Sequence, residues 1–86
     1  MLKTYPKVIN VQAKPGKQLL VTFENGVRRE YDCCPLLETE AFEALKEDVF
    51  FGSVKTDPGG YGISWSDDID LSESELWKHG RPVEPE

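Results

Sequence analysis

Two tight-turn signals, Lys14-Pro15-Gly16-Lys17 and Asn25-Gly26, separate three stretches in which apolar and polar residues alternate, and this punctuation constrains the fold more than any other feature. In Val8 to Ala13 the residues Ile9, Val11 and Ala13 alternate with Asn10 and Gln12, the period of a half-buried strand. Leu19, Val21 and Phe23 line one face of a second strand, and Val27, Arg29 and Tyr31 alternate along a third. Pro15 presets the first turn angle and Gly16 supplies a positive one. Asn25-Gly26 predicts a two-residue turn of the primed type, whose twist suits antiparallel strands. Three antiparallel strands follow.

The third strand must stop at Asp32-Cys33-Cys34-Pro35, because proline lacks the donor that a central ladder requires. A helix is expected from Thr39, as N-cap, to about Asp48, with Ala41, Phe42 and Leu45 as its apolar stripe. Gly52 to Thr56 reads as a strand, Asp57-Pro58-Gly59-Gly60 as its turn, and Gly62 to Trp65 as a short partner strand with Ile63 and Trp65 on one face. An acidic connection then leads to Ser72, which with Glu75 forms a capping box ahead of Leu76-Trp77, and Gly80 stops that helix. The expected fold is α+β: an antiparallel sheet of three N-terminal strands, a C-terminal hairpin and two short helices. Residues 1–80 form one domain in this reading, and residues 81–86 a frayed tail.

With 86 residues, 38% of them hydrophobic, the chain suffices for one small core. The opening residues never reach the apolar run of an export signal, and no stretch has the roughly 18 apolar residues of a membrane span, so a cytoplasmic location is expected. Charge is divided: residues 1–31 carry six Lys/Arg against two Glu (+4), and residues 32–86 carry four against fourteen Asp/Glu (−10). A net charge of −6 argues against general affinity for nucleic acid, which is bound mainly by neutralising phosphates. Lys14, Lys17, Arg28 and Arg29 could still form a local basic patch, against the alternative of a solvated hairpin face.

The chemically richest segment is Asp57 to Trp77, with its glycines, aromatics and clustered carboxylates. Against a calcium loop, Asp68, Asp70 and Ser72 fill the first three ligand positions, but Glu73 replaces the required glycine and His79 the bidentate glutamate, so no metal site is expected. The run Asp57 to Gly62 has no Lys-Ser/Thr after it and no βαβ unit around it, which removes a phosphate cradle. Adjacent Cys33 and Cys34 have α-carbons about 3.8 Å apart, too close for an unstrained disulfide; alternation puts one thiol in the core and the other at the surface. His79 sits where it complements a helix C-terminus. No catalytic residue and no cofactor are expected. Tyr61, Trp65, Asp67, Asp68, Asp70 and Glu73 remain as a candidate surface for a protein partner, with Trp65 and Trp77 as the alternative core ballast. A homodimer through an edge strand is a further arrangement.

One wider pattern runs from Pro6 to Gly80: Pro6, Val8, Val11, then Leu20, Val21 and Phe23 before Gly26, Asp32, Pro35-Leu36-Leu37, Phe42, Leu45, Phe51, Val54, Asp57, Gly62-Ile63, Trp65 and Asp70-Leu71. As a set these resemble domain-of-unknown-function family 2442, a group of small bacterial domains. The resemblance implies a compact α+β domain without an assigned activity. It also implies a partner-binding or toxin–antitoxin-like role, since some relatives are fused to a helix-turn-helix segment or paired in operons with another small protein. The function classes, in order, are a protein-interaction module, a regulator acting on nucleic acid through a partner, and a small enzyme or divalent-ion-binding domain.

Overall fold

A computed structural model describes residues 5–83. The first three strands are β1 (Val8–Lys14), β2 (Gln18–Phe23) and β3 (Arg28–Asp32), paired antiparallel as the turn signals require. Leu19, Val21 and Phe23 alternate along β2 and are completely buried, so the period-two pattern translates directly into a core face. The chain then makes two stretches of 3-10 helix, Cys34–Glu38 and Glu40–Lys46, and a single turn of α-helix, α1 (Asp48–Phe51). Next come β4 (Lys55–Thr56), β5 (Gly62–Ser66), β6 (Ile69–Ser72), α2 (Glu73–His79) and β7 (Arg81–Pro82). The strands form two sheets, β1-β2-β3-β7 and β4-β5-β6. The class is α+β.

Several local expectations are corrected. In β1 the core residues are Val8 and, in part, Val11, while Ile9 is 60% exposed. The cause is an irregularity in register: Val8 pairs with Phe23 and Asn10 with Thr22, leaving Ile9 as the extra residue of a bulge. At the second hairpin, Gly26 has φ +86° but Asn25 does not have a positive φ, which the primed turn needs at both positions. Phe23 N–H instead bonds Val27 O across a three-residue loop ending in a left-handed glycine.

The expected helix from Thr39 to Asp48 is not one α-helix. Thr39 is extended (φ −100°, ψ 144°), and its hydroxyl donates back to Leu36 O at 2.8 Å instead of capping the next turn. Glu47 is extended too, separating Glu40–Lys46 from α1. Phe42 and Leu45 are three residues apart, a spacing that eclipses side chains in a 3-10 helix and serves that geometry as well as the α-helix. The strand expected from Gly52 contracts to Lys55–Thr56, because Gly52 and Ser53 close the turn after α1 with N–H bonds to Asp48 O and Phe50 O.

The acidic connection contains a further strand. Ile69 and Leu71 turn inward from β6, alternating with exposed Asp70 and Ser72. Ser72 is the N-cap of α2 as predicted, its Oγ accepting the Glu75 N–H at 3.2 Å. The expected frayed tail begins as a strand instead: Arg81 and Pro82 pair with Glu30 and Arg29 of β3, and Arg81 Nη2 meets Glu30 Oε1 at 2.7 Å. Residues 84–86 of that tail lie outside the described residues.

Candidate functional site

Tyr61 enters β5 from the turn Pro58–Gly60, and its ring lies against Gly59, whose φ is +81°. The side chain is 61% exposed. Lys7 holds it from above: Lys7 Nζ lies 4.4 Å from the ring centroid and 3.5 Å from Glu73 Oε2. A cation over an aromatic face and an ion pair thus orient one another. Behind them the segment is fixed by hydrogen bonds, with Ser64 Oγ donating to Asp57 Oδ1 at 2.6 Å and Glu73 N–H to Tyr61 O at 3.0 Å.

The candidate surface named from sequence is divided by this geometry. Tyr61 and Glu73 come together through Lys7. Trp65 does not join them: it is 5% exposed, stacks on Phe51 at 6.0 Å, and donates its indole N–H to Phe51 O at 2.9 Å. Asp67 and Asp68 form the exposed turn between β5 and β6, at the end of β5 opposite Tyr61, about 16 Å of strand away. Asp70 is exposed on β6, opposite Ser64. Lys7 was missed because nothing local in the sequence joins it to Glu73, sixty-six positions on, and Ile9 because simple alternation put it on the core face.

A second polar cluster ties α2 to β3. Tyr31 donates its hydroxyl to Glu75 Oε2 at 2.8 Å, and His79 Nδ1 meets the same oxygen at 3.0 Å, so His79 has a partner one turn back on its own helix. Burial, with the Glu75 hydrogen bond second, raises the Tyr31 pKa above its ordinary 10.0. Trp77 packs edge-on against Phe23 at 5.1 Å, with the Arg29 guanidinium 4.0 Å from its ring centroid. Trp65 and Trp77 therefore brace different elements.

The two cysteines divide as alternation predicts, Cys33 buried and Cys34 exposed, both as free thiols. Burial pushes the Cys33 thiol up from 9.0 to about 12, with the neighbouring Asp32 charge adding to it. The Cys34 N–H bonds Asp32 Oδ1 at 2.9 Å and helps hold that carboxyl below its ordinary range. Tyr31 and Cys33 favour the neutral form in the fold, so their stabilisation is complete below the unfolded values and lost as pH rises through the folded ones. Urea melts should show level stability to about pH 9 and then a decline toward pH 12, of about 1.4 kcal/mol per pH unit for each group ionised only in the unfolded chain. Cys33→Ala should make the decline above pH 9 shallower, because the unfolded thiol that ionises there is gone; an unchanged alkaline profile would refute the assignment.

Among the described residues, no group of three or more His, Cys, Asp or Glu could hold a metal ion. No helix there is long and apolar enough to cross a membrane. No curated protein and no solved structure matches the chain. A family whose description is "Protein of unknown function (DUF2442)" does match, over residues 8–82, which run from the first residue of β1 to the last of β7. With both sheets and α2 inside that span, the chain belongs to the DUF2442 family of proteins of unknown function.

Proposed function

We propose that the chain is a protein-interaction module that binds a protein partner through the surface formed by Lys7, Ile9, Tyr61 and Glu73. The observation that carries this reading is Tyr61, an aromatic side chain 61% exposed yet oriented by Lys7 and Glu73. A tyrosine ordered before binding gives up little further conformational freedom on contact and contributes a large amphipathic area. Ile9, two residues after Lys7 in the chain, is turned outward by the β1 bulge and is the exposed apolar residue proposed to join them. Binding, not catalysis, is the role proposed, and the free thiols Cys33 and Cys34 suit a reducing cytoplasm. The setting that fits such a module is a two-gene, toxin–antitoxin-like pair, with the partner encoded next to it.

The test is co-expression with the neighbouring gene product, followed by pull-down and calorimetry. A stable complex should form, and Tyr61→Ala should weaken it by tenfold or more, the scale of an interface hot spot of about 2 kcal/mol, while the melting temperature of the free domain changes little. Self-association in place of that complex, or a complex indifferent to Tyr61→Ala, would reject this surface.

A further inference from the structure

At the opposite end of β1 from Lys7 and Ile9, the β1–β2 turn and α1 enclose an open cleft of about 380 Å³, within the size range of small-ligand sites. Its apolar lining is Ala13, Pro15 and the largely buried Phe51, and its polar groups are Lys14, Lys17 and Asp48. Lys17 is unusual twice over. It is the non-glycine residue with positive φ (+62°) among the described residues, a conformation that disfavours any L side chain. Its side chain is also drawn inward, only 16% exposed, with Nζ 5.5 Å from the Phe51 ring centroid and in contact with Asp48 Oδ1. Asp48 itself is 93% exposed, and the ammonium of Lys17 holds its carboxyl below the ordinary range.

We propose that this cleft binds a carboxylate carried on an apolar body, with Lys17 as the anchoring cation and Asp48 as an internal stand-in that the ligand displaces. Strained backbone beside a cavity is a mark of functional positions, and here the strain sets an ordered ammonium beside the cleft. The Lys17–Asp48 pair shows which chemistry the site accepts. Asp48 is largely solvated and brings little apolar surface, so a carboxylate attached to an aromatic or aliphatic group replaces its ion pair and also covers the exposed Ala13 and Pro15. On exchange Lys17 keeps a carboxylate partner, and the displaced Asp48, already 93% exposed, is left to the solvent. The donor is either a free small acid or the C-terminus of a peptide, and the two share this chemistry.

Amide chemical shifts in the full chain test it. Phenylacetate should move the signals of Lys14, Gly16, Lys17 and Gly52 saturably, and phenylacetamide should not. Asp48→Asn, which removes the stand-in, should tighten phenylacetate binding by roughly fivefold, the upper worth of an exposed ion pair. Lys17→Gly should abolish binding while the domain stays folded, because glycine accepts the positive φ without strain. A short peptide ending in phenylalanine, with free or amidated C-terminus, identifies the source: tighter binding of the free-acid peptide than of phenylacetate assigns the site to chain termini, and weaker binding assigns it to small acids. No saturable shift with any carboxylate, equal binding of the amides, or an unchanged affinity in Asp48→Asn overturns the proposal. The outcome is independent of Tyr61, whose partner surface lies at the other end of β1.

Discussion

Replacing Gly62 with alanine is expected to unfold the domain or lower its stability by about 3 kcal/mol or more, although the change adds a single methyl group. A Cβ at Gly62 would stand 2.3 Å from Leu71 O and 3.1 Å from Ser72 Cα, backbone atoms of the partner strand that no rotamer change can move aside. Gly62 pairs with Ser72, the residue that caps α2, so separating the strands there also disturbs the helix start. Overpacking in a core costs about 1–3 kcal/mol when side chains can adjust, and a clash with backbone belongs at or above the upper end. Gly52→Ala is the control: its Cβ would meet Asp48 O and Val49 O at 3.5 and 3.7 Å, ordinary contacts, at a φ of −70°. That variant should be neutral within about 0.5 kcal/mol. Chemical denaturation of both proteins checks the pair, and equal stabilities would show that β5 and β6 do not approach so closely.

Phe23→Ala should cost about 3–5 kcal/mol, the range for removing a buried aromatic ring. Phe23 is completely buried at the end of β2, opposite Val8, and carries the edge-on contact with Trp77 that fastens α2 to the first sheet. In a domain of this size each kcal/mol moves the melting temperature by about 4–8 °C, so a fall of at least roughly 12 °C is expected by calorimetry. Trp77 fluorescence should shift toward the emission of a hydrated indole even below the transition, because its partner ring is gone. Trp65, stacked on Phe51 in another part of the core, should remain buried. A drop under 1 kcal/mol would mean that the core collapses around the missing ring.

The elements that sequence made legible are those fixed by local chemistry. Leu19, Val21 and Phe23 needed only a period of two, the turns at Gly16 and Gly26 only their backbone freedom, and Ser72 only an N–H three residues on. What stayed hidden depended on distant partners or on small changes in register. The bulge at Ile9 reverses the expected facing of a residue whose hydrophobicity gave no warning. Ile69 and Leu71 were masked by Asp67, Asp68 and Asp70 around them, though their spacing of two is itself a strand signal. Arg81-Pro82 carries no strand propensity of its own and is ordered by β3. The site divides the same way: exposure of Tyr61 and burial of Trp65 could not be told apart from composition, because both types serve core and interface alike. Lys17 was visible only as one charge in a basic patch, since its inward course depends on Phe51 and Asp48.

The pairing of β7 with β3 also sets an order of assembly. During synthesis, the meander β1-β2-β3 can close by contacts between neighbours as soon as it leaves the ribosome, but its fourth strand lies 51 residues beyond the partner it joins at Glu30. Until Arg81 and Pro82 are made, the outer edge of β3 presents unsatisfied backbone groups, the kind of template on which nascent chains misassociate. The last few residues of the domain thus decide how long this protein, while being born, needs protection from its own copies.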